Sequence, residues 1–117
     1  MAKLVIAEDA PHMLRLLEMT LRKAGHTWTS CTDGAAAVAA TGTHLPDAVI
    51  LDIIMPVMDG KEVCRILRST PELAGLFVIA YTAHAMESER QSIMAAGFDD
   101  LLVKPISGQD LLRVLPD

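Results

Sequence analysis

PDAVILDIIMPVMDG, Pro46 to Gly60, decides how the chain is read. Ala48 to Leu51 is a short apolar run that reads as a strand, and Asp52 ends it. Met55-Pro56 and Asp59-Gly60 then break the strand and open a helix. A carboxylate is thereby delivered to the rim of a buried sheet. In an open parallel sheet the crevice beyond the carboxyl ends of the strands is where ligands bind, so an acid at that place serves chemistry rather than folding.

Four further strands surround this one. Lys3 to Glu8 (KLVIAE) precedes it with two acids, Glu8 and Asp9, at its end, and Asp9 followed by Pro11 reads as an N-cap and an early helical proline. That helix runs to about Ala24 and stops at Gly25, with Ala10, Met13, Leu14, Leu17, Leu21 and Ala24 on one stripe and Leu16 and Met19 off it. Thr27 to Cys31 is a weaker strand, and Asp33-Gly34 turns it into an Ala-rich helix, Ala35 to Thr41, which Gly42 to Pro46 ends. After the central strand, a helix runs from Gly60 to about Arg68 with Val63, Ile66 and Leu67 facing inward. Leu76 to Tyr81 is the fourth strand and ends at Thr82-Ala83. Met86 to Ala96 is a helix with Met86 and Met94 expected in the core, and Leu101 to Val103 is the fifth strand, ending at Lys104-Pro105. Gln109 to Leu115 closes the chain as a short helix. Five strand-helix alternations without repeat or linker predict a doubly wound α/β sandwich with right-handed crossovers.

The totals agree. A chain of 117 residues is one domain, large enough to fold without disulfide or metal. Its apolar fraction of 51% with only 3% aromatics means a core of aliphatic side chains, as in a helix-covered parallel sheet. A net charge of -5 with no Lys/Arg run argues against nucleic acid or an anionic membrane as the main partner. The absence of a signal-like amino terminus or a ~20-residue apolar span predicts a cytoplasmic protein. Cys31 and Cys64 are expected to be buried, reduced thiols, and His12, His26 and His44 surface residues.

Taken together, the strand ends carry Glu8-Asp9, Asp52, Thr82 and Lys104. If the first strand lies beside the third, three carboxylates meet. At ~4 Å and an effective dielectric of ~20 each like-charged pair costs about 4 kcal/mol, so either one acid takes up a proton or a hard divalent cation binds. All-oxygen ligands favour Mg²⁺, Mn²⁺ or Ca²⁺, and open water positions suit Mg²⁺ best. A carboxylate nucleophile beside a cation, a Lys and a hydroxyl has the parts needed to form an acyl phosphate, with Lys104, Thr82 and the Ala83 N–H on the phosphoryl oxygens.

Glu8-Asp9, Asp52, Met55-Pro56-x-x-Asp59-Gly60, Thr82-Ala83 and Lys104-Pro105, in this order and spacing, resemble the receiver domain of bacterial two-component response regulators. The resemblance spans the chain, 1–117, as one receiver domain without a separate output domain. It implies a five-stranded parallel sheet of flavodoxin-like order 2-1-3-4-5 with helices on both faces, an order for which a member of this family is a standard example. It further implies that Asp52 accepts a phosphoryl group from a sensor histidine kinase or a histidine phosphotransfer protein. Asp9, Asp52 and the Ile54 carbonyl would bind Mg²⁺ directly and Glu8 through water. Lys104 would hold a phosphoryl oxygen, Thr82 would move to bond another, and Lys104-Pro105 would be cis. The kinase would pack on the first helix, at Met13 and Leu16, and on Pro105-Ile106, and the downstream protein target would meet the fourth helix and fifth strand. Such a switch is not an enzyme apart from catalysing its own phosphorylation and dephosphorylation.

One departure stands out: Leu101 occupies the place, three before the lysine, where many receivers carry an aromatic residue. Tyr81 neighbours Thr82 but points to the opposite face. This keeps two other functions in view, a receiver-like adaptor that is never phosphorylated and a haloacid-dehalogenase-type phosphatase, which needs a second acid where Ile54 stands. His84 reads as an exposed residue at a helix start, and the sharper reading has it over the phosphoryl site, where it would affect hydrolysis.

Overall fold

The structure is a computed structural model that describes residues 2–83 and 86–115. Five parallel strands, β1 (Lys3–Ala7), β2 (Thr27–Cys31), β3 (Ala48–Asp52), β4 (Phe77–Thr82) and β5 (Asp100–Val103), pair in the order β2-β1-β3-β4-β5. The helices are α1 (Pro11–Lys23), α2 (Gly34–His44), α3 (Gly60–Ser69), α4 (Glu87–Ala95) and α5 (Gly108–Val114). The expected order and class therefore hold, and β3 has all five residues buried, as a strand covered on both faces must.

Side-chain alternation splits the core in two. Val5, Ala7, Val49, Leu51, Val78 and Ala80 meet α2, α3 and α4, while Leu4, Ile6, Ile50, Ile79, Tyr81 and Leu102 meet α1 and α5. Register then extends each row past the strand ends. Ala7 pairs with Leu51 and Asp52 with Tyr81, so Glu8, Asp52 and Tyr81 fall on the α1/α5 face and Thr82 on the other.

Several local expectations are corrected. The N-cap of α1 is Ala10, without a side-chain cap, so Asp9 stands before the helix with its carboxylate free for the crevice. Along α1, Leu17 and Leu21 are buried and Met13 and Leu14 pack on the core, but Ala24 is exposed. Helix α2 continues through Gly42 to His44, with Ala37 and Thr41 buried on its core side and the Thr41 hydroxyl donating to the Ala37 carbonyl. It ends at Leu45 in the left-handed region (φ 47°), just before Pro46. In α3, Cys64 is buried alongside Val63 and Leu67, with Ile66 only half-buried. Met86 and Met94 are 70% and 46% exposed, not core residues, since α4 is a short helix that buries Ile93 alone. Cys31 and Cys64 are free, buried thiols.

Candidate functional site

Each functional side chain is placed by the end of a strand. Glu8 follows β1 directly, its N–H donating to the Cys31 carbonyl of β2 (3.0 Å), and its carboxylate is fully buried. Asp52 is the last residue of β3 and is also buried. The chain leaves Asp52 through Ile53, whose N–H donates to the Tyr81 carbonyl (3.2 Å), and returns at Gly60, whose N–H donates to the Ile53 carbonyl (3.0 Å). Asp59 caps α3 by accepting from the Glu62 N–H. Lys104 is tied to the end of β4 by its own N–H, which donates to the Thr82 carbonyl (2.8 Å), and the Lys104-Pro105 peptide is cis, as expected.

These side chains converge. Glu8, Asp9 and Asp52 each offer a carboxylate oxygen, all within 4.8 Å of one another. Lys104 Nζ lies 2.7 Å from Glu8 Oε1 and 3.1 Å from Asp52 Oδ2. The other oxygens take backbone donors: Glu8 Oε2 accepts from the Ala10 N–H (3.1 Å) and Asp52 Oδ1 from the Ile54 N–H (3.3 Å). Glu8 Oε1 is deeply buried, and although it makes the ion pair, it receives no hydrogen bond of good geometry.

One proton is contested by this cluster. Burial and then the neighbouring Glu8 push Asp52 up to about 6, against the opposing pull of Lys104. Burial acts upward on Glu8 too, but Asp52, Lys104 and the Ala10 N–H together outweigh it and hold Glu8 below the usual carboxylate range. Of the two acids, Asp52 is therefore the one that takes up a proton first as pH falls. Burial pulls Lys104 down, and its two acidic partners more than restore it, so it stays a cation.

The residues read from the sequence divide into two groups. Glu8, Asp9, Asp52 and Lys104 are brought together in one crevice. Thr82 is buried at the end of β4, on the sheet face opposite Asp52, and Ala83 follows it, exposed at the rim. Ile54 is 75% exposed beyond Asp52. Met13 and Leu16 are half-buried on α1, Pro105 is exposed, and Ile106 packs against the α1/α5 core. Leu101 is buried on the α2–α4 side. His84 lies outside the described residues.

Two residues went unread as structure. Arg68 donates to the carbonyls of Ala74, Leu76 and Gly97 and to the Asp99 carboxylate, tying α3 to both the loop that leads into β4 and the turn before β5. Tyr81 carries Lys104 Nζ over its ring, 4.9 Å from the centroid. Nothing local marks either one, though the period of two already separates Tyr81 from Thr82.

Comparison with known proteins agrees with this geometry. The response regulator receiver domain family matches residues 4–115. The chain is 35% identical over 108 residues to the probable transcriptional regulatory protein TcrX of Mycobacterium tuberculosis, covering 92% of this chain and 45% of TcrX. It is 34% identical over 116 residues to the sensor protein GacS of Pseudomonas syringae, covering 97% of this chain and 13% of GacS. The chain thus spans half or less of the length of these relatives. Among solved structures, the chemotaxis response regulator CheY4 of Vibrio cholerae superposes with a TM-score of 0.89 at 29% identity, covering 98% of this chain and 99% of that one. The receiver domain of the sensor histidine kinase PA1611 of Pseudomonas aeruginosa, determined with magnesium in its active-site cleft, gives 0.89 at 31% identity, covering 97% and 93%. With the family matched across nearly its whole length and the fold shared throughout, the chain belongs to the response regulator receiver domains of two-component signalling.

Proposed function

We propose that this domain is a switch set by transfer of a phosphoryl group from a phosphohistidine to Asp52. The observation that carries the proposal is the meeting of three carboxylates within 4.8 Å with one ammonium. One positive charge against three negative ones leaves the crevice short of cation, and the buried Glu8 Oε1 lacks a well-formed hydrogen bond. These all-oxygen donors fit Mg²⁺. Asp9, Asp52 and the Ile54 carbonyl are the residues to hold it directly, with Glu8 acting through water. When bound, Mg²⁺ would supply positive charge to the phosphoryl oxygens and favour the ionised form of Asp52.

An Asp52 carboxylate oxygen then attacks phosphorus in line, the new P–O bond forms as the P–N bond to the donor imidazole breaks, and the imidazole nitrogen is protonated. Lys104 holds one phosphoryl oxygen throughout, the Ala83 N–H faces another, and the Thr82 hydroxyl, which starts on the opposite sheet face, moves to bond it. Hydrolysis of the acyl phosphate resets the switch.

The donor, a sensor histidine kinase or histidine phosphotransfer protein, docks on α1 at Met13 and Leu16 and on Pro105-Ile106. A groove of about 540 Å³ opens beside this surface, lined by Thr20, Lys23, Ile106, Gln109 and Leu112 among others. Output passes by a population shift at the α4–β5 face, where the exposed Met86 and Met94 offer a downstream protein apolar contact.

Beryllofluoride, an acyl-phosphate mimic, tests the reading. Binding that requires Mg²⁺ and disappears in Asp52→Ala is the expected result; a protein that binds neither Mg²⁺ nor beryllofluoride is an adaptor instead.

A further inference from the structure

Tyr81 has a place that core packing alone does not account for. Its side chain is fully buried, and its hydroxyl meets only the Ile106 backbone, at poor hydrogen-bond geometry. A buried hydroxyl so weakly paired adds little stability, and a leucine would fill most of the same space without one. What the aromatic ring does provide is a negative face. Tyr81 pairs in register with Asp52 on one side and Leu102 on the other, so it lies on the strand between the acid and the lysine, on the face both side chains share. Lys104 Nζ sits 4.9 Å from the ring centroid.

The carboxylates of Glu8 and Asp52 hold the ammonium as well, but the Asp52 contact must change when its carboxylate becomes an acyl phosphate. The ring contact does not depend on the state of Asp52. A four-carbon lysine stem loses rotamer freedom when fixed, and a quadrupole in a desolvated site offsets that loss.

We propose that Tyr81 is a positioning residue for Lys104, its ring holding the ammonium in the crevice so that the cation is in place for a phosphoryl oxygen before and after transfer. The consequence for phosphorylation rests on the reading of Asp52 as phosphoryl acceptor; the contact itself does not.

Two measurements on the whole chain test it. By NMR, the Lys104 Cε protons resonate upfield of those of Lys3, Lys23 and Lys61 through the ring current. Tyr81→Phe keeps that shift and Tyr81→Leu abolishes it. With acetyl phosphate and Mg²⁺, Tyr81→Leu lowers kcat/KM about three- to tenfold, and Tyr81→Phe, which keeps the ring, restores it. An unshifted Lys104 signal in the wild type and Tyr81→Phe overturns the proposal even if Tyr81→Leu does not fold. So does a Tyr81→Phe protein as slow as Tyr81→Leu. A wild-type protein that takes up no phosphoryl group sinks the Asp52 reading alone, and the ring-current comparison then still decides whether Tyr81 holds Lys104.

Discussion

Gly60 packs against the backbone of Asp52 so closely that a Cβ built on it would collide with the Asp52 carbonyl oxygen. The first residue of α3 is thus seated directly beneath the end of β3, and the loop carrying Ile54 closes over a contact that only glycine permits. Gly60→Ala must push helix and strand apart. We expect a loss of about 2–3 kcal/mol in urea unfolding together with weaker Mg²⁺ binding in a titration; wild-type values of both would refute the close contact.

Asp52 makes the metal-free protein sensitive to pH. Its folded-state value of about 6 lies above the ordinary 3.8, chiefly through burial and then Glu8. Folding therefore favours the protonated acid. The associated stability is fully present below about pH 4 and is lost as pH rises through 6. Asp52→Asn removes that loss, raising stability at pH 8 by up to about 3 kcal/mol at ~1.4 kcal/mol per tenfold change, with little effect at pH 4. Glu8 acts in the opposite sense, its lowered value adding stability that is lost only on acidification. Thermal midpoints of both proteins with and without Mg²⁺ at pH 5 and 8 check this, Mg²⁺ raising the wild-type midpoint at pH 8.

Arg68 holds together three segments that otherwise share few polar contacts. Its guanidinium reaches the Gly97 carbonyl at 2.8 and 3.0 Å, Ala74 at 2.8 Å, Leu76 at 2.6 Å and Asp99 at 2.7 Å, and Asp99 also accepts from the Val78 N–H. Removing the donor strands several half-buried acceptors at once. Arg68→Met should cost about 3 kcal/mol in denaturant unfolding, at the upper end for one polar side chain. Arg68→Lys rescues little, because one ammonium cannot span the fork.

Leu45 offers the reverse case. It caps α2 at φ 47° with its side chain 62% exposed, so the backbone strain there is not offset by burial. Leu45→Gly should stabilise the domain by about 0.5–1 kcal/mol in equilibrium unfolding, since glycine takes the left-handed region freely. A destabilised variant would show that leucine contributes packing there.

The candidate site was legible from its strand ends because an apolar run closed by a polar or charged residue is a local pattern, and Glu8-Asp9, Asp52, Thr82 and Lys104 each close one. Helix edges were read less well: Asp9 looks like a cap in isolation, and Gly42 looks like a stop, but tertiary contacts keep the first in the crevice and carry α2 past the second. Met86 and Met94 have apolar side chains, and only the placement of α4 shows that they face solvent.

By itself the sequence determined the five alternations, the chemistry at each strand end and, through the period of two, the face on which every strand residue lies. The tertiary structure decided which of those ends face one another. Strand order and register put Glu8, Asp52, Tyr81 and Lys104 on one face, and the resulting burial pushes Asp52 upward and sets an aromatic ring beside the lysine. Those are interactions through space between residues far apart in the chain, and their strength depends on distances and desolvation that no local pattern encodes.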